Sequence, residues 1–181
     1  MVSTDRLLSG ALAADEPRQW YVFCTKSRHE KLVYRTLEGT GVESFLPLRS
    51  VLSQWKDRRK LVEQPLFPGY LFVRSARTQL AALCETRGVA YVLGSEGNPT
   101  AVREEQVEAV RRMTGCDQSV EPWPYLTEGK HIRVTAGPLA GLEGLIAGAI
   151  KSGRCHLVVS IELLGRSVAV ELDGRCVEVI C

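Results

Sequence analysis

Pro65-Leu66-Phe67-Pro68-Gly69-Tyr70-Leu71-Phe72-Val73 decides how the first half of this chain is read. Two prolines bracket Phe67, so the backbone there lacks donors that a regular ladder needs, and Pro68-Gly69 favours a turn. Leu71-Phe72-Val73 then runs apolar on both faces, as a strand inside a sheet does. Upstream, Trp20-Tyr21-Val22-Phe23-Cys24 has the same character and reads as a first strand. Between the two, residues 30–38 suit a helix with Leu32, Val33 and Leu37 on one side, stopped by Gly39 and Gly41. Ser44-Phe45-Leu46 is a second short strand closed by Pro47. Residues 51–55 and 60–63 read as the arms of a hairpin. Its tip, Lys56-Asp57-Arg58-Arg59, is polar enough to project from the body.

Downstream, Thr78 is placed to cap a helix over 79–86, with Gly88 to end it. A strand follows over 89–93, and Gly94-Ser95-Glu96-Gly97 is a turn, not a phosphate cradle. A helix over 104–113 carries Val107, Val110 and Met113 on one face, with Gly115 after it. Strand, helix, strand, strand, helix, strand is the ferredoxin-like order. Residues 116–128, with Pro122, Trp123 and Pro124, break the pattern and read as a linker.

The remainder changes character. Ile132/Val134, Leu157/Val159/Ile161, Val168/Val170/Leu172 and Val177/Val179 alternate with polar or small residues, and glycines punctuate them. Five short strands in so short a segment suggest a small closed barrel. Leu139, Leu142, Leu145, Ile146 and Ile150 also fit a helical stripe, but the glycines inside it would each cost roughly 1 kcal/mol in a helix, so strand is favoured.

Composition is that of an ordinary globular chain: 181 residues, 45% hydrophobic, 24% charged, net charge +2. The charge is uneven. Residues 20–113 hold 15 Lys and Arg against 10 Asp and Glu, a surplus of +5, whereas residues 127–181 hold 6 of each. The basic half is the one suited to approach nucleic acid. The six cysteines show no C-x-x-C spacing, and His29, His131 and His156 are separated from one another and form no Cys/His cluster of zinc-ligand geometry. No metal site, cofactor or catalytic set is therefore expected, and the chain reads as a cytoplasmic, reduced, non-enzymatic protein. Residues 1–19 lack the basic start and apolar core of a signal peptide and read as a disordered tail. No apolar run is long enough to span a membrane.

Two motifs carry a resemblance. Trp20-Tyr21-Val22 with the segment 65–73 resembles the N-terminal domain of NusG-family transcription factors. Gly129-Lys130-His131-Ile132-Arg133-Val134-Thr135-Ala136-Gly137-Pro138-Leu139-Ala140-Gly141-Leu142-Glu143-Gly144 resembles a KOW motif. The resemblance implies an α+β chain with a ferredoxin-like NusG N-terminal domain over 20–115, a linker over 116–128, and a five-stranded SH3-like KOW β-barrel over 129–181. Gln54-Trp55-Lys56-Asp57-Arg58-Arg59-Lys60 before Pro65 looks like the family's specialised paralogues, the UpxY-type and RfaH-like antiterminators. Where the RfaH-like members carry a His-Thr-Thr element, this chain has approximately Gln79-Leu80-Ala81-Ala82.

The implied function is transcription elongation and antitermination: holding RNA polymerase across its cleft for processive synthesis. Trp20, Phe67, Pro68 and Tyr70 would meet the clamp helices of the polymerase largest subunit, with a place in the core as the plain alternative for each aromatic. Lys56, Arg58, Arg59 and Lys60 would touch transcription-bubble DNA, or form a solvated turn. Pro138, Leu139, Leu142 and Ile161 would bind a small-subunit ribosomal protein or the termination factor Rho, or pack inside the barrel. The alternatives are a housekeeping NusG acting in Rho-dependent termination and a ribosomal or RNA-binding KOW protein. With the C-terminal half in strands, the aromatic pocket should stand open.

Overall fold

A computed structural model describes residues 16–54, 59–95, 98–116, 118–126, 129–151 and 154–180. Most of the expected N-terminal tail lies outside the described residues. So do Trp55 at the end of the first hairpin arm, Lys56, Asp57 and Arg58 of the hairpin tip, Glu96 and Gly97 of the turn, and Asp117, Thr127 and Glu128 of the expected linker.

In chain order come β1 (Gln19–Thr25), α1 (Glu30–Gly39), β2 (Ser44–Phe45), β3 (Leu48–Gln54), β4 (Arg59–Pro65) and β5 (Tyr70–Ser75). They are followed by α2 (Leu80–Cys84), β6 (Val89–Val92), β7 (Gly94–Ser95), β8 (Asn98–Pro99), β9 (Ala101–Val102) and α3 (Glu104–Thr114). The first sheet runs β2-β5-β1-β6, all antiparallel, which is the ferredoxin-like order. β9 extends the same edge, pairing with β1 beside Trp20 and Tyr21 where β6 has ended. β3 and β4 pair only with each other among the described residues and form the projecting hairpin.

Alternation along β1 sorts its side chains to two faces. Tyr21 and Phe23 meet Val33 and Leu37 of α1, Leu71 and Val73 of β5 and Leu80 of α2 in one core. Trp20, Val22 and Phe72 point the other way, into a second cluster with Val107, Val110 and Met113 of α3. Two details of α1 and α2 differ from expectation. Leu32 is 46% exposed, and the remaining buried place on α1 goes to Glu30. The second helix is only Leu80–Cys84, preceded by a 3-10 turn at Arg77–Gln79. Thr78 therefore sits inside that turn, and its hydroxyl donates to the Glu16 carboxylate (2.6 Å) instead of capping a helix. Gly88 is fixed by packing: its φ is +102°, and a Cβ there would stand 2.9 Å from Val33 Cγ2.

The second sheet comprises β10 (Val120–Trp123), β11 (Lys130–Val134), β12 (Glu143–Lys151), β13 (Arg154–Ile161), β14 (Arg166–Asp173) and β15 (Val177–Val179). Its order is β10-β14-β13-β12-β11-β15, so it has six strands rather than five, and no pairing between β10 and β15 closes it among the described residues. The extra strand is β10, inside the expected linker. Pro122 is tolerated because β10 is an edge strand, where a missing N–H removes no ladder bond. Trp123 stacks on His156 (5.1 Å between centroids), and Ser160 and Ser167 hold the backbone of Leu126 from both sides. From Glu143 onward the strand reading of 139–150 holds. Gly144 allows close approach to β13, since a Cβ would meet the Val158 carbonyl oxygen at 2.6 Å.

Candidate functional site

The turn Phe67-Pro68-Gly69-Tyr70 is closed by a Tyr70 N–H bond to the Phe67 carbonyl (3.1 Å), with Gly69 at φ +85°, the geometry of a type II turn. Two elements clamp its middle. Thr25 N–H donates to the Gly69 carbonyl (2.9 Å), and the Gly69 N–H donates to Glu30 Oε1 (2.8 Å). Glu30 is only 7% exposed. Its charge-assisted bond crosses from α1 to the turn and fixes how Phe67 and Tyr70 are presented. Sequence reading missed this residue, because a glutamate in a helix's first turn is ordinary for its effect on the helix dipole alone.

The aromatic side chains interlock. Phe67 meets Phe72 edge-to-face (6.0 Å, 75°), and Phe45 stacks on the same ring (6.1 Å, 28°). Arg111 lies over both Trp20 (5.3 Å) and Phe45 (5.2 Å), with Arg74 also near Trp20 (6.0 Å). Glu43, Glu104 and Glu108 ion-pair with these two guanidiniums.

The expectation of an open pocket is overturned. Phe67 is 1% and Trp20 3% exposed; Tyr70 is half-buried, and of the four expected contact residues only Pro68 is exposed. The reason is tertiary. The cluster holding Phe67 and Phe72 continues through α3 into Leu139, Leu157 and Ile161 of the second sheet's core. Three polar fastenings accompany it. Arg166 lies over the Tyr70 ring (5.4 Å), Arg103 pairs with Glu162, and Arg112 donates to the Ala140 carbonyl (2.6 Å).

The other expected residues divide. In the turn before β12, Pro138 is exposed, whereas Leu139, Leu142 and Ile161 are 1%, 6% and 0% exposed and belong to the core in this form. Arg59 and Lys60 are exposed at the end of β4; Lys56 and Arg58 lie outside the described residues. At the hairpin base, Lys31 Nζ donates to the Glu63 carbonyl (3.0 Å). Higher up, Leu52 and Leu61 face each other across the strands, both more than half exposed.

Burial pushes the Cys24, Cys84 and Cys155 thiols up, which keeps them protonated and inert. Among the described residues, no group of His, Cys, Asp and Glu is placed to hold a metal, and no helix is long and apolar enough to cross a membrane.

Comparison with known proteins bears on the whole arrangement. The family model for NusG, described as transcription termination factor nusG, matches residues 18–111. The transcription termination/antitermination protein NusG of Borreliella burgdorferi is 27% identical, over 90% of this chain and 99% of its own length. That of Escherichia coli K12 is 24% identical, over 89% of this chain and 96% of its own. A solved structure described as a domain interaction in Thermotoga maritima NusG shares the fold, with a TM-score of 0.54 at 24% identity, covering 91% of this chain and 98% of that one. The matched segment contains β1, the turn at Phe67–Tyr70 and most of α3, and with it this chain belongs to the NusG family of transcription factors, which are not enzymes.

Proposed function

We propose that this chain is an elongation and antitermination factor that receives the clamp helices of the RNA polymerase largest subunit on the aromatic face around Phe67 and Tyr70, beside Trp20 and Pro68. The observation that carries the reading is the Phe67–Tyr70 turn. It is pinned by Glu30 and Thr25, and a turn held this firmly is a pre-organised anchor for a partner. By bridging the cleft, the factor stabilises the closed polymerase it binds best, which favours processive synthesis. The second sheet is read as an SH3-like KOW barrel. Its Pro138 turn and the neighbouring Leu139, Leu142 and Ile161 take a small-subunit ribosomal protein or Rho once released. In the free protein that sheet lies over the aromatic face, so recruitment begins with undocking.

The test is Phe67→Ala in the full chain. Removing a central aromatic anchor costs about 2 kcal/mol or more of binding. Polymerase capture should weaken at least tenfold in a variant whose circular dichroism is unchanged, and undiminished capture would remove the pocket from the mechanism. A second reading is a housekeeping NusG acting in Rho-dependent termination, favoured by the termination/antitermination names of the curated relatives. Transcription of a Rho-dependent template with and without the protein separates them: earlier stops favour termination, and read-through favours antitermination.

A further inference from the structure

Alternation along β13 and β14 sends Cys155, Leu157, Val168 and Val170 into the core and leaves His156, Ala169 and Glu171 on the sheet's other face. There, beside β10, lies a recess of about 410 Å³. Its floor is Ala169, which opposes Glu121 of β10 and leaves a gap where a larger side chain would stand. Its wall is the Trp123–His156 stack. That wall is held in place just downstream, where Ser160 donates to the Leu126 carbonyl (3.1 Å) and the Leu126 N–H donates to Ser167 (3.2 Å). No lining residue precedes Gln118, so the first sheet takes no part in the recess, and it stays open while the second sheet covers the aromatic face.

Charge selects the occupant. Glu121, Glu171 and Asp173 line the recess with one guanidinium, Arg154. Arg154 pairs with Glu171 (3.1 Å), and Asp173 pairs with Arg175 (2.6 Å). Glu121 is exposed and makes no ion pair among the described residues. Glu171 lies diagonal to it across the β10–β14 ladder, roughly 7 Å away, so two like charges stand close together beside an aromatic wall. A phosphate is repelled by that arrangement, and among the described residues no ligand cluster is placed to take a metal ion. A guanidinium fits: it lies flat on an indole while its N–H groups donate to a carboxylate, whereas an ammonium brings the charge without the flat face.

We infer that this recess is a docking site for an arginine-bearing segment of a protein partner, with the guanidinium against Trp123 and paired with Glu121. The site shares no residue with the Pro138, Leu139, Leu142 and Ile161 set. A partner held there meets the factor in its closed form, before undocking.

The test is NMR of the isotope-labelled full-length protein with a peptide of four Arg-Gly repeats, its Lys-Gly and Glu-Gly counterparts, and a ten-nucleotide oligouridine, all at one pH and ionic strength. The Arg-Gly peptide should shift the Trp123 indole N–H and the amides of Glu121, Ala169 and Glu171 saturably, and bind about threefold tighter than the Lys-Gly peptide. Glu121→Gln should weaken binding about threefold, the effect of losing one exposed ion pair, and Glu121→Lys should abolish it. Trp123→Leu should weaken it about fivefold, and Trp123→Phe, which keeps a ring, by less. The Arg112→Ala, Arg166→Ala double variant should bind the peptide as the parent does; tighter binding would mean that the recess is covered in the docked form and would overturn its independence of undocking. The absence of a saturable shift, or equal binding by Glu121→Lys and the parent, would overturn the site. Oligouridine or the Glu-Gly peptide moving the same signals at the affinity of the Arg-Gly peptide would overturn the choice of occupant. So would shifts of those signals on concentrating the protein alone, which would assign the recess to a second copy of this chain.

Discussion

Replacing Arg112 and Arg166 by alanine should loosen the second sheet from the aromatic face without touching that face. Arg112 donates to the Ala140 carbonyl at 2.6 Å, and Arg166 lies 5.4 Å over Tyr70. The first is a charge-assisted bond at a partly exposed site, worth about 1 kcal/mol. The second is a surface cation–π contact, worth about 0.5–1 kcal/mol. Arg103–Glu162, left in place, joins two side chains each more than 60% exposed and contributes at most about 1 kcal/mol. The double variant thus loses roughly 2 kcal/mol of docking, about a thirtyfold shift of the equilibrium. If the docked form dominates, the competent fraction limits apparent affinity, so polymerase affinity of the full chain should rise by up to that factor. Fluorescence anisotropy of labelled protein against polymerase core measures it, with urea unfolding as the control for integrity. An affinity equal to the parent's would refute gating by the second sheet.

Glu30→Ala should leave the Gly69 N–H without its acceptor and cost about 1–3 kcal/mol in urea unfolding, with weaker polymerase capture. Glu30→Gln, which keeps an acceptor oxygen, should recover most of both, and equal damage from the two would place the role of Glu30 elsewhere. Asp173 gives a pH prediction. Its carboxylate accepts from the Arg175 side chain and backbone N–H, which hold its pKa down from 3.8 to about 2. A depressed folded value means the stabilisation is present above pH 3.8 and lost as pH falls through about 2. Asp173→Asn should flatten the acid limb between about pH 4 and pH 2, and a parent carboxyl signal titrating near 4 in NMR would refute the pairing.

The elements legible in the sequence were those whose signal is local. The two-sided apolar runs of β1 and β5 and the Val107/Val110/Met113 face of α3 all depend on periods that short windows contain. What escaped depended on distant partners. Residues 120–123 read as linker because Pro122 and Pro124 are breakers anywhere except at a sheet edge, and edge position is a tertiary fact. Glu30 escaped because its partner is a backbone N–H thirty-nine positions away, which leaves no residue type to recognise.

The open pocket failed for a more instructive reason. Strand propensity in the second half argues against a helical cover, but the absence of a helical cover does not by itself leave the face open. Masking a face requires only a complementary surface in reach, whatever its secondary structure. The second sheet meets the requirement through the core around Leu139 and Ile161 and through Arg103, Arg112 and Arg166. The polar fastenings are few, exposed and partly ionic, and undocking, although it also parts the buried core around Leu139 and Ile161, needs no refolding of either sheet. It should therefore be fast and salt-assisted, where a cover that must change from helix to strand would be slow and indifferent to salt.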